Sequence, residues 1–111
     1  IASQNNLQQF IVSKKQVSKN KALKTSVLYN KVESSVNSSI NLYKGSSPTF
    51  KSIEFDILKN AYLNDKLIIK NNIKKLSATE IVLDITVAKK QEKKQDIICK
   101  ATFGYALQKA S

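Results

Sequence analysis

Residues 25 to 44 carry the one long helical periodicity in the chain, and the segments that follow alternate like strands. Leu28, Val32, Val36, Ile40 and Tyr43 recur at steps of three or four, the spacing of a single helix face. Tyr29 joins that face when positions are plotted at 100° per residue, and Glu33 falls at its rim. Ser34, Ser35, Ser38 and Ser39 keep the flanks small, so a sheet can approach closely. Thr25 or Ser26 is the expected N-cap, where a hydroxyl accepts a bond from an orphan amide. Gly45 is the expected residue past the C-terminus, where a left-handed backbone is often needed. A carboxylate two turns into such a helix, behind a capped N-terminus, is the constellation that points to chemistry.

Before the helix, residues 1–9 are polar and expected to fray. Phe10-Ile11-Val12 is a short first strand, and residues 14–24 form a basic surface connection. After it, Ser46-Ser47-Pro48 is turn chemistry. Residues 49–58 alternate, with Ile53, Phe55 and Ile57 on the core side and Phe50 on the other. Residues 66–76 set Leu67, Ile69, Asn71 and Ile73 against Ile68, Lys70, Asn72 and Lys74. Residues 79–89 place Ile81, Leu83, Ile85 and Val87 on one face. Residues 89–96 are a charged hairpin tip. Residues 97–107 align Ile97, Cys99, Ala101, Phe103, Tyr105 and Leu107, and Gly104 mid-strand marks a bulge or a close backbone approach.

A strand, a long helix and four strands joined by short turns define an α+β fold: an antiparallel meander of about five strands with one helix on one face. One helix cannot cover such a sheet, so apolar strand surface remains. This predicts a homodimer or homotetramer.

A chain of 111 residues is expected to make a single domain over 1–111. It begins at Ile1 rather than Met, as a processed or trimmed chain does. With no histidine and one cysteine, a zinc centre, a Ser-His-Asp triad and a disulfide framework are all excluded. Cys99 reads as a small buried strand residue in a reducing compartment, and the expected location is cytoplasmic. No apolar run approaches the roughly 20 residues that span a bilayer. The net charge of +11 attracts phosphates. The clusters are lysine-rich with little aromatic interleaving, which argues against base stacking and sequence-specific nucleic-acid reading.

The order of elements resembles the hotdog fold of acyl-CoA thioesterases. In the phenylacetate-pathway and related members the helix opens with Asn-x-x-Gly-x-x-His-Gly-Gly and carries an Asp or Glu seven or eight residues on. Residues 20–33 lie over that pattern, from Asn20 to Glu33 at the acidic position. Residues 53–67 resemble the family's strand, its Leu-Arg-Pro-Ala segment and its Gly-Asp-x-Leu turn. Ala101-Thr102-Phe103-Gly104-Tyr105 resembles its closing strand. The likeness spans roughly residues 10 to 108. It departs at the glycine pair, here Thr25-Ser26, at the histidine, here Lys24, and at the glycine of Gly-Asp, here Asn64.

The resemblance implies thioester hydrolysis at a dimer interface, with coenzyme A as part of the substrate and no resident cofactor. Glu33 is then the general base or nucleophile, with Asn20 beside it. The Thr25, Ser26 and Val27 amides bind the oxyanion. The acyl chain lies against Tyr29 and Val32, and Lys24 and Lys59 meet the phosphates or pantetheine. The alternative is a non-catalytic hotdog domain that binds an acyl-CoA as a sensor or scaffold. The effector domain of the malonyl-CoA-sensing repressor of fatty-acid synthesis has a Ser-Arg-Asn-x-x-x-Arg stretch similar to Ser18-Lys19-Asn20-Lys21-Ala22-Leu23-Lys24. A third reading, from charge alone, is a phosphate-backbone binder whose affinity falls steeply with salt.

Overall fold

The computed structural model describes residues 6–40, 46–90 and 95–109. Its elements run β1 (Asn6–Ile11), a single 3-10 turn (Lys14–Gln16), α1 (Thr25–Ile40), β2 (Ser46–Ile57), β3 (Lys66–Leu76), β4 (Glu80–Lys90) and β5 (Gln95–Lys109). All pairings are antiparallel, in one sheet of order β1-β3-β4-β5-β2. The expectations for Tyr43, Gly45 and the tip of the β4–β5 hairpin fall outside the described residues.

Helix α1 lies against β3 and β4, the centre of the sheet. Its Leu28, Val32 and Val36 are buried on Leu67 and Ile69 of β3, Ile81, Leu83, Ile85 and Val87 of β4, and Cys99, Ala101 and Phe103 of β5. Each large aliphatic or aromatic side chain so buried contributes roughly 1.5–3 kcal/mol. Ser35 and Ser39 are buried too, and their small side chains let the helix close on β3. There Asn71 Nδ2 donates to the Ser35 carbonyl at 2.9 Å, to Ser35 Oγ at 3.1 Å and to Ser39 Oγ at 2.9 Å.

Three details depart from the alternation in the sequence. First, β1 starts at Asn6, within the stretch expected to fray, because Asn6 to Ile11 pair residue by residue with Asn71 to Lys66. Second, β5 carries an extra residue opposite the Val87/Ala88 step of β4. The bulge turns Ile97 outward, 36% exposed, and buries Ile98 in its place. Third, a register shift between Phe50 and Ser52 leaves Lys51 without a partner in β5. Phe50 is therefore opposite Tyr105, as Ile53 is opposite Phe103, Phe55 opposite Ala101 and Ile57 opposite Cys99. Directly paired residues share a face, so Phe50 joins the helix side, not the outer side its position in the alternation predicted. Gly104 lies at this shift, opposite Ser52, and a Cβ there would come within 2.6 Å of Ser52 Oγ. Of the bulge or close backbone approach expected at that glycine, the bulge is present, and what a Cβ would meet is the Ser52 side chain.

Candidate functional site

The loop from residue 13 to residue 24 sets the start of α1. Lys24 N–H donates to the Gln16 carbonyl, Leu23 N–H to Ala61, and Leu63 N–H to Lys21, which ties the loop to the β2–β3 connection. Two residues in these turns have left-handed backbones, Lys21 (φ 66) and Asn64 (φ 72). Asn64 stands at the Gly-Asp glycine position, and asparagine tolerates that conformation. The Leu28 amide donates to the Lys24 carbonyl, so Lys24 is the capping residue. Thr25 and Ser26 lie inside the first turn, and the expected hydroxyl cap is corrected accordingly.

Asn20 sits in the Ser18–Lys21 turn of this loop. Its Oδ1 accepts from Ala22 N–H at 3.3 Å and from the Ser18 hydroxyl. Lys14, Lys15, Lys19, Lys21 and Lys24 are all exposed, and no acidic residue lies among residues 13–24 or in the first turn of α1. Lysine charge and the positive end of the helix dipole reinforce each other here. Lys59 belongs to the neighbouring connection and is held by Asp96 at 2.6 Å.

Two turns along α1, Glu33 is half-buried. Tyr29, one turn earlier, stands on the same side of the helix. Burial first, then the negative charge of Glu33, pushes the Tyr29 phenol above its ordinary value. The Tyr105 phenol of β5 is raised too, by burial first and then by Glu33 and Tyr29. The Tyr29 ring meets Phe55 edge-on at 5.4 Å and lies tilted against Phe103 at 6.4 Å. Tyr105 meets Phe50 edge-on at 5.7 Å. Glu33 thus lies beside an aromatic surface built by α1, β5 and the edge strand β2. Phe50 is 54% exposed and Ile53 36% exposed on it. Val32 has no exposed surface and belongs to the core, so it cannot line a ligand as expected.

The structure therefore separates the expected site into two groups. Lys24, Thr25, Ser26, Val27 and Asn20 gather at the start of α1, with Lys59 nearby on the connection that the loop pairs with. Tyr29 and Glu33 lie further along. Val27 and Glu33 are six residues apart on one helix, roughly 9 Å along its axis. Sequence reasoning left out Tyr105 and Phe50 as site residues. Their signal was Gly104, whose close approach to Ser52 marks the register shift. An open depression of about 420 Å³ lies elsewhere, at the β1 edge, lined by Gln9, Phe10, Ile11 and Lys66. It contains neither Glu33 nor its aromatic neighbours. No cluster of three or more potential metal ligands occurs among the described residues, and no helix there is long and apolar enough to cross a membrane.

Solved structures share this architecture over nearly the whole chain. A hypothetical thioesterase protein from Streptococcus pneumoniae TIGR4, determined with coenzyme A, aligns with TM-score 0.77 and 17% identity over 95% of this chain and 79% of its own. A Streptococcus mutans UA159 protein bound to acetyl-CoA aligns with TM-score 0.77 and 19% identity over 96% of this chain and 83% of its own. A mutant acyl-CoA hydrolase from Staphylococcus aureus aligns with TM-score 0.84 and 10% identity over 94% of this chain and 66% of its own. No protein-family model and no curated protein matches the sequence. The chain has the hotdog fold. Its structural neighbours include acyl-CoA thioesterases of that fold.

Proposed function

We propose that this protein is an acyl-CoA thioesterase that works as a dimer, with Glu33 as general base on water or as nucleophile. The observation that carries this reading is the position of Glu33: a half-buried carboxylate on the hotdog helix, beside a partly exposed aromatic surface. The company of thioesterase and coenzyme A structures supports the same chemistry.

The separation within α1 bears on how the site is assembled. Amides at Thr25, Ser26 and Val27 cannot reach the carbonyl that Glu33 of the same helix attacks, since the two are roughly 9 Å apart. Two antiparallel helices related by a two-fold axis would bring the start of one beside the middle of the other. One thioester could then meet the oxyanion-binding amides of one subunit and Glu33 of the other. Side chains at Thr25 and Ser26 narrow the approach that glycines leave open in the resembling family, which favours a small acyl group near the carbonyl.

The acyl group would lie against Tyr29, Phe55 and Tyr105. The phosphates would meet the acid-free lysine loop, with Lys24 nearest the helix start. Lys59 would contribute less, because Asp96 already neutralises part of its charge. Asn20 would act by shaping the turn that presents these lysines. No resident cofactor enters this chemistry. A reducing, cytoplasmic setting fits the buried thiol of Cys99.

A thiol-release assay across short, medium and aromatic acyl-CoAs tests the proposal. Hydrolysis of at least one member is expected, and Glu33→Gln should lower kcat by about a hundredfold or more with the fold intact. If the wild type hydrolyses none of them but coenzyme A raises its melting temperature, the non-catalytic binding reading replaces this one.

A further inference from the structure

Strand β1 is the edge of the sheet opposite β2, and its outer side has no pairing partner among the described residues. The Val12 amide donates to the Asp65 carbonyl, and the Val12 carbonyl accepts from the Asn64 amide, so the backbone of Val12 faces β3. Backbone groups alternate in direction along a strand, so Gln9 and Ile11 turn their N–H and C=O groups outward. At this edge lies the open depression of about 420 Å³ lined by Gln9, Phe10, Ile11 and Lys66. From this arrangement we propose that β1 is a docking edge for an extended acidic segment of another protein, which joins the sheet as a further strand.

Open edges are normally closed to partners by charged side chains, proline or a bulge. The chain holds 19 basic and 8 acidic residues, yet the six residues of β1 carry no charge, include no proline and keep one register along β3. Ile11 is 57% exposed beside the depression, an apolar seat for one side chain of the added strand. The surroundings select the sign of the partner. Exposed Lys66 is the cross-strand partner of Ile11, and exposed Lys14 and Lys15 follow the strand. Lys31 reaches over the Phe10 ring, its Nζ 4.9 Å from the centroid. The adjoining acid, Asp65, is already held by Lys89 at 3.2 Å and by the Tyr62 amide at 2.8 Å. A second copy would set the same lysines and a further charge of +11 against these, whereas an acidic strand neutralises them. The aromatic surface beside Glu33 is built on β5 and β2, at the far side of the sheet, so docking at β1 leaves the proposed reaction site open.

The test titrates synthetic peptides into the full chain and follows its backbone amide resonances. The probe is Glu-Glu-Val-Thr-Val-Thr-Val-Glu-Glu, capped at both ends. One control replaces its glutamates by lysine, and another replaces its central valine by proline. The probe should shift the amides of β1 and bind at least about tenfold tighter than either control. Gln9→Pro removes an outward N–H and no bond to β3, so it should keep the wild-type fold and weaken the probe at least about tenfold. Lys66→Glu leaves the backbone untouched and decides the matter alone if Gln9→Pro does not fold. It should weaken the probe about tenfold at low salt, and less as salt is added. A probe that shifts the loop of residues 13–24 in place of β1, or that the lysine or proline control matches, overturns the proposal. Wild-type affinity in Gln9→Pro or in Lys66→Glu overturns it too, as does a probe that does not bind. Sedimentation tests the other occupant: assemblies larger than a dimer that Gln9→Pro breaks down would give this edge to a second copy and overturn the proposal as well.

Discussion

Cys99 shows how far a strand position decides a side chain's chemistry. It has no exposed surface, and burial first, then the charge of Asp56, pushes its thiol up to about 11. The neutral thiol is the form the fold prefers. Its contribution to stability is complete below the ordinary thiol value and is lost as pH rises toward about 11. Native protein should react with a disulfide reagent at pH 8 at least about tenfold more slowly than urea-unfolded protein. Between pH 9 and 11 the wild type should lose more of its stability than Cys99→Ala does. Equal losses would show that the thiol is not held neutral. The inertness of Cys99 was legible in the sequence, because nothing near it could activate a thiolate. Tyr29 and Glu33 were legible by helical spacing. The nearness of Tyr105 to them was not, since it depends on how the helix is laid across the sheet.

Among the elements, β4 was the most legible, because its alternation from Glu80 to Val87 leaves one way to face a core, whereas β3 also buries Ile68 on its other face and shifts register between Ile73 and Lys75. The strands beside them were read with errors of one residue, at Ile97 and at Phe50. A bulge inserts one residue, which reverses the face of everything beyond it, and only cross-strand pairing reveals where it falls. β1 was hardest, since Asn6, Gln8 and Gln9 owe their strand state to β3 rather than to any propensity of their own. Asn71 was placed on the core face, yet its purpose appears only with α1 in position. It clamps Ser35 and Ser39 and so fixes how far along β3 the helix sits. Its Oδ1 has no partner in the buried interface. Asn71→Ala should cost about 2–3 kcal/mol in urea denaturation, from lost hydrogen bonds and the cavity left behind. Ser34→Ala, on the exposed side of the same helix, should change stability by less than about 0.5 kcal/mol.

At the scale of the molecule, one helix on one sheet makes a plate of 51 × 29 × 19 Å. Its radius of gyration is 15.2 Å, against about 13 Å for a compact chain of this length. Ile11 of β1 and Leu76 of β3 are exposed away from β2, but the largest group of exposed apolar side chains lies on the β2 flank. Phe50, Ile53, Ile57 and Leu58 all remain substantially exposed on or just after β2, an edge strand whose outer side has no pairing partner among the described residues. The outer face of the sheet offers no comparable surface at its middle, where Lys70, Asn72, Thr86, Lys100 and Thr102 stand out and Thr102 donates to Asp84. A second copy joined along β2 would therefore complete the proposed assembly, and the polar outer face favours stopping at two. Association must overcome the repulsion of two chains of +11 each, so added salt should strengthen the dimer rather than weaken it. Sedimentation at micromolar protein should show a dimer, and Phe50→Lys combined with Ile53→Lys should give a monomer with unchanged far-ultraviolet dichroism. Because Glu33 and the helix-start amides would then belong to separate particles, that monomer should lose thioesterase activity, while Glu33→Gln should lose activity and remain a dimer. A Lys-substituted monomer as active as the wild type would mean that a single helix suffices, and the two-subunit site would have to be abandoned.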